Sequence, residues 1–208
     1  MLDDPACAGA VRYPPGSLVI LTGLPGAGKT TLLRRLYGLH GAESAPVVRG
    51  AVVVIDSYQS KQHWAGRLGW APQPVRRAVV FATHLARISR ALSSGRAVVA
   101  HNRGCAPSVL RGFDRLARWH GARLHLLLLD TAPETALAGQ HERGRVVAAR
   151  TFARHQRRWE GLMARVRSGD PAPAAVARVI DRDAAALLGA IVFEPDHDPV
   201  SEGFPITE

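Results

Sequence analysis

Apolar residues along this chain form two kinds of cluster, and the two kinds alternate. Leu18 to Leu21, Ala51 to Ile55 and Ala97 to Ala100 are continuous runs of strand length, and Arg123 to Asp130, with four consecutive leucines, and Val176 to Ile180 are strand-length stretches rich in Val, Ile and Leu. Between them apolar residues recur at helical spacing. Leu32, Leu33 and Leu36 follow the first run, and Phe81, Leu85, Ile88 and Leu92 mark a helix over 74–92 that Ser93-Ser94-Gly95 closes. Further helices are predicted over 107–120 and from Pro133 to about 142, and another carries Phe152, Trp159, Met163 and Val166 on one stripe. Strands that alternate with helices predict an α/β fold: a central, mostly parallel five-stranded sheet between two helical layers.

The rest of the chain shows no such pattern. Residues 1–16 read as a loose N-terminal arm ending in Tyr13-Pro14-Pro15-Gly16, 17–190 as one domain, and 191–208 as an acidic tail. Residues 57–71 read as irregular.

The first run leads into Gly23-Leu-Pro-Gly26-Ala27-Gly28-Lys29-Thr30-Thr31, with a helical pattern directly behind it. This is the phosphate-cradling P-loop in its strand–loop–helix context. Glycines let backbone N–H groups converge on phosphate oxygens, and the helix N-terminus adds partial positive charge. Gly23, Gly26, Ala27, Gly28 and Thr31 are therefore expected around the phosphates, Lys29 on the β- and γ-phosphates, and the Thr30 hydroxyl on Mg²⁺. The expected fold is a three-layer P-loop NTPase or kinase that binds a nucleoside triphosphate, with ATP and Mg²⁺ as cofactors.

Ligands in such sheets sit at the carboxyl ends of the strands, which singles out Asp56, His101, Asn102, Asp130, Asp181 and Arg182. Asp56 has three readings: a base that orients and deprotonates an acceptor hydroxyl, a carboxylate that holds Mg²⁺, or a cap on the following turn. Asp130-Thr-Ala-Pro-Glu134 reads as a strand exit and helix cap.

The segment from His141 to Arg167 holds eight arginines against Glu142 and Glu160. Arg143 and Arg145 stand where a short lid over 141–153 would start, and arginines over phosphates neutralise charge and exclude water. Arg154, Arg157, Arg158, Arg165 and Arg167 read as the solvated face of a helix.

Composition changes this picture little. The 208 residues carry 27 Lys and Arg against 17 Asp and Glu, a net charge of +10. The excess is arginine, and with abundant Ala, Gly and Pro it fits GC-rich coding as well as attraction to phosphate-bearing ligands. Nucleic-acid binding is possible on this charge but not favoured by it. Cys7 and Cys105 make neither a metal spacing nor a disulfide framework. No apolar run is long enough for a bilayer and the start is unlike a signal peptide, so no membrane association and a cytoplasmic location are expected.

The P-loop, an Asp after the second strand, a strand–turn–helix with Arg111, and Arg143-Gly-x-x-Val147 before a Phe-containing helix recur here in one order. In this the chain resembles the P-loop kinases of the polynucleotide-kinase and zeta-toxin type, a branch of AAA-like ATPases, over about residues 17–182. The resemblance implies ATP-Mg²⁺ as donor, Asp56 as acceptor-activating base, and Arg143, with Arg145, in the lid. It also implies a place for Arg182 against the adenine. One departure stands out. The third strand of that family ends in an Asp, and here it ends Val98-Val99-Ala100-His101-Asn102. An imidazole does not replace a hard carboxylate beside Mg²⁺, so either Asp56 takes part of the metal role, His101 meets the acceptor, or catalysis is weakened.

The expected activity is transfer of the γ-phosphate to a hydroxyl of a small molecule or nucleotide. Tyr58, Gln59, Lys61, Gln62, His63, Trp64, Arg67 and Trp70 offer cations and aromatic faces to such an acceptor, or form a surface loop anchored by its tryptophans. Two alternatives are a polynucleotide 5′-hydroxyl kinase and a nucleotide-dependent switch or ATPase acting on a protein partner.

Overall fold

A computed structural model describes residues 9–102, 105–142, 144 and 146–195. The elements in chain order are β1 (Ala10–Tyr13), β2 (Leu18–Gly23), α1 (Lys29–Tyr37), β3 (Val47–Arg49), β4 (Val52–Asp56), α2 (Ser57–His63), α3 (Gln73–Ser93) and β5 (Ala97–His101). They continue with α4 (Pro107–Trp119), β6 (Leu124–Leu129), α5 (Pro133–His141), α6 (Ala149–Arg167), β7 (Val176–Ile180), α7 (Arg182–Leu187) and β8 (Ala190–Phe193).

The five apolar runs are β2, β4, β5, β6 and β7. They lie parallel in a six-stranded sheet of order β3-β4-β5-β2-β6-β7. The sixth member, β3, pairs antiparallel with β4 at the edge. Three residues are too short a run to register as a strand in the sequence, which is why the expected sheet of five lacks it. Every residue of β2, β5 and β6 is buried, as central parallel strands covered on both faces require. Each fully buried Leu, Ile or Val there is worth about 1.5–3 kcal/mol over its exposed state. The edge strand β7 is largely exposed.

Parallel strands bring their C-terminal ends to one side of the sheet, and this positions the site. β5 lies between β4 and β2, so His101 is in register with Asp56 on one side and with Leu21, two residues before Gly23, on the other.

Three expectations about irregular segments are corrected. The arm expected over 1–16 contains β1, which pairs in parallel with β8 from Ala10↔Ala190 to Tyr13↔Phe193. The acidic tail expected over 191–208 accordingly begins with strand residues. Val11 and Tyr13 are buried while Arg12 is exposed; the Tyr13 ring lies 5.2 Å from that of His125 in β6 and 6.2 Å from that of Phe193. Each strand is four residues long and weak alone, and only the pairing makes either one a strand. Third, the stretch read as irregular after Asp56 opens with α2. Asp56 and Gln59 build a capping box there: the Asp56 carboxylate accepts from Tyr58 N, and the Gln59 side chain accepts from Asp56 N at 3.1 Å.

Candidate active site

The P-loop runs from the end of β2 into α1. Gly28 caps α1 in the left-handed conformation, at φ 98°. Gly26 also has φ 98°, and a Cβ there would lie 1.9 Å from the Ala136 carbonyl oxygen of α5. Only glycine lets the loop pass this close to the helix. Ala27 N donates to Leu24 O at 3.1 Å, which closes the turn. The buried Lys29 ammonium donates to the carbonyls of Gly23 at 2.8 Å and Leu24 at 2.6 Å. Its charge is thereby held at the loop rather than in solvent.

Asp56 links this loop to the neighbouring strands. Its Oδ1 accepts from Tyr58 N at 2.8 Å and faces His101 Nδ1 at 3.0 Å, while its Oδ2 accepts from the Thr30 hydroxyl at 3.3 Å. The capping reading of Asp56 thus holds for one oxygen. The other stands against the P-loop threonine, so Thr30 and Asp56 present hard oxygen donors side by side. These are the donors Mg²⁺ prefers, and the residues present fit that ion. The imidazole of His101 offers no such donor and is bonded to Asp56 instead.

Two cavities border this node. The first, about 680 Å³, is lined by Gly26, Gly28, Lys29, Thr30 and Thr31 of the P-loop and by His101. Arg34, Arg77 and Arg154 also line it, so among the described residues four cations and no carboxylate face this space. Such a field draws polyanions and neutralises charge on transferring phosphates. His155 lines it too; burial, then the charges of Arg154, Arg158 and Lys29, hold its pKa below the usual histidine range. The second cavity, about 610 Å³, lies against α2, α3 and the end of β5, with Ser57 and Asn102 in its lining. Arg77 lines both.

Several residues that border the site carry no motif. Arg154, read from sequence as solvated helix face, belongs to the P-loop cavity. Gln140 of α5 is buried; its Nε2 donates to Pro25 O at 2.9 Å and its Oε1 accepts from Val147 N at 2.8 Å. This one side chain ties the P-loop to the segment expected as a lid. His84 of α3 is 2% exposed, and neither ring nitrogen has a hydrogen-bond partner among the described residues. Burial, followed by the charge of His101, lowers its pKa to about 4.

Other expected residues lie elsewhere. Arg143 and Arg145 fall outside the described residues. Arg182 is exposed at the start of α7 and lines neither cavity. Asp181 caps α7, accepting from Ala184 N at 2.7 Å. The cap expected in Asp130-Thr-Ala-Pro-Glu134 is corrected: the N-cap of α5 is Ala132, with no side-chain bond, and Asp130 pairs with Arg167 at 3.0 Å. Pro133 at the first helical position needs no donor satisfied, so the helix starts without one. Among the described residues no cluster of three His, Cys, Asp or Glu could hold a metal, and no helix is long and apolar enough to cross a membrane.

Comparison with known proteins agrees with this geometry. A family described as AAA domain matches residues 18–168. A chain of the Pnkp1/Rnl/Hen1 RNA repair complex superposes with a TM-score of 0.58 at 14% identity, over 74% of this chain and 47% of that one. The tunicamycin resistance protein of Deinococcus radiodurans superposes with a TM-score of 0.52 at 15% identity, over 88% of this chain and 100% of that one. The phosphonates import ATP-binding protein PhnC of Frankia casuarinae is 56% identical over 34 residues, 16% of this chain and 13% of PhnC. The chain thus spans under half of the RNA repair protein and about an eighth of the transporter subunit. With a family match over most of its length and a parallel sheet that delivers a P-loop, an Asp and a His to one edge, the chain belongs to the AAA domain family and has the fold of the P-loop kinases.

Proposed function

We propose that this protein is an ATP- and Mg²⁺-dependent phosphotransferase that moves the γ-phosphate to a hydroxyl of a small molecule or nucleotide. The observation that carries the reading is the 3.3 Å hydrogen bond from Thr30 to Asp56 Oδ2, beside a second cavity whose lining includes the residue after Asp56. A carboxylate whose chain neighbour Ser57 lines a non-phosphate cavity supports an alcohol acceptor, which a pure switch does not need.

In this reading the loop amides and Lys29 hold the phosphates of ATP. Thr30 and Asp56 would hold Mg²⁺, which would supply charge neutralisation on the phosphate oxygens. Asp56 orients the acceptor hydroxyl and takes its proton as the oxygen bonds to the γ-phosphorus. The bond from phosphorus to the β,γ-bridging oxygen breaks, and ADP leaves with the electron pair. His101 keeps the Asp56 carboxylate oriented. Arg77 and Arg154 face the transferring group; Arg143 and Arg145 join them from the lid, which we assign to 141–153. Use of ATP favours a cytoplasmic location.

The test is γ-³²P transfer from ATP with Mg²⁺ to pooled nucleosides, sugars, aminoglycosides and a 5′-hydroxyl oligonucleotide, with Lys29→Ala as control. Label in a small-molecule pool, lost in the variant, is the expected result. Label only on the oligonucleotide would make the protein a nucleic-acid kinase. Slow phosphate release with no labelled acceptor would refute transfer and point to a switch.

A further inference from the structure

The second cavity has a chemistry of its own, and the role inferred for it rests on the phosphotransferase reading. Among the described residues its charged lining is Lys61 of α2 and Arg76 and Arg77 of α3, with no Asp or Glu. Arg76 and Arg77 are exposed, and their guanidinium groups make no hydrogen bond or ion pair with the described residues. The Lys61 ammonium lies 6.0 Å from the centroid of the Tyr58 ring. Three cations gathered without a counter-charge repel one another and are stable together in the company of an anion.

The apolar walls are held in place. The Trp64 indole N–H donates to Thr83 Oγ1 at 2.8 Å, which fixes that ring against α3. Phe81 meets Phe113 edge to face, with centroids 6.4 Å apart. Aromatic faces fixed this way suit a ring-shaped ligand. His84 and Asn102 line the same space, and the buried His84 ring has no hydrogen-bond partner among the described residues. A neutral imidazole carries one donor and one acceptor, which matches a hydroxyl. A volume of about 610 Å³ is that of a small-molecule site.

We propose that this cavity is the acceptor pocket for a small, ring-bearing, hydroxylated anion. Lys61 and Arg76 bind its phosphate or carboxylate, Trp64 and Phe81 flank its ring, and Arg77 stands between that anion and the transferring phosphate. A neutral sugar or nucleoside lacks the group that the three cations select.

The experiment is calorimetric binding to the full-length chain saturated with the non-hydrolysable ATP analogue AMP-PNP and Mg²⁺. The probes are two matched pairs, AMP against adenosine and quinate against methyl quinate, with a 5′-hydroxyl oligonucleotide as a further arm. The charged member of at least one pair should bind at least tenfold more tightly than its neutral partner. The pair that discriminates distinguishes phosphate from carboxylate. Lys61→Ala and Arg76→Ala should each cut that preference at least threefold, with AMP-PNP affinity and melting temperature as controls for folding. Equal affinity within both pairs, no binding of either anion, or a preference unchanged in both variants would overturn the proposal. Tighter binding of the oligonucleotide than of either small anion would overturn it too. An anion that binds with this dependence yet receives no label from γ-³²P-ATP would refute the phosphotransferase reading and leave the anion pocket standing.

Discussion

Asp56 of β4 and His101 of β5 are register partners in the parallel sheet, and their side chains meet with Oδ1 and Nδ1 3.0 Å apart. Both are buried, and Asp56 Oδ2 is engaged by Thr30 on the far side. The carboxylate therefore has one oxygen bound within its own sheet and helix cap, and one turned to the P-loop. A histidine at the end of β5 is compatible with this division because it donates to the carboxylate, where a second acid would repel it.

Asp56→Asn separates the structural from the chemical role. Asparagine caps helices as well as aspartate, so α2 should persist and the melting temperature should move little. The lost charge and basicity should lower kcat by about 10²–10⁴-fold, with the Kd for ATP changed less than about threefold. Steady-state transfer kinetics beside nucleotide binding check this; a near-normal kcat would remove Asp56 from the chemistry.

Gly26→Ala tests the loop's contact with α5. The added Cβ would meet the Ala136 carbonyl oxygen at 1.9 Å, at a backbone φ of 98°. Helix backbone cannot yield by that much, so the loop must move. Stability should fall by more than about 1 kcal/mol and ATP affinity by at least about tenfold. Urea unfolding and nucleotide titration measure the two separately.

Gln140→Ala leaves the Pro25 carbonyl and the Val147 N–H without their partner. The cost should be about 1–3 kcal/mol in stability. If Gln140 joins the lid segment to the P-loop, hydrogen exchange around 146–148 should speed up and KM for ATP should rise more than kcat falls. An exchange rate unchanged at Val147 would show that the tether does not order the segment.

His84 makes stability depend on pH. Its pKa is near 4 in the folded protein and 6.5 in an unperturbed chain, so between those values the unfolded state binds the extra proton. Stability is then full above pH 6.5 and is lost as pH falls toward 4, by up to about 3 kcal/mol. His101, Asp56 and Arg87 set the local field. Thermal unfolding from pH 7 to 4.5 should show the decline, and His84→Gln should flatten it, the remaining slope being that of the carboxylates.

Much of this protein follows from local pattern. Continuous apolar runs such as Leu126 to Leu129 can be buried only in a covered sheet, and Gly23 to Thr30 behind such a run determines a phosphate loop whatever surrounds it, because loop and helix start are local geometry. Asp56 and His101 are conspicuous in the sequence as strand ends. Their contact is not, because it depends on β5 lying between β4 and β2, an order that no local signal carries. The same holds for β1 and β8, four-residue strands that exist only by pairing across the chain. Arg77, His84, Gln140 and Arg154 belong to no motif. Each looks like ordinary helix surface or core until helix packing brings it to a cavity. Sequence alone determined the fold class and the phosphate end of the site, since both rest on short-range periodicity and backbone conformation. The tertiary structure decided the second cavity, since it is made of residues from α2, the turn after it, α3 and Asn102 behind β5, which meet only when the sheet is assembled.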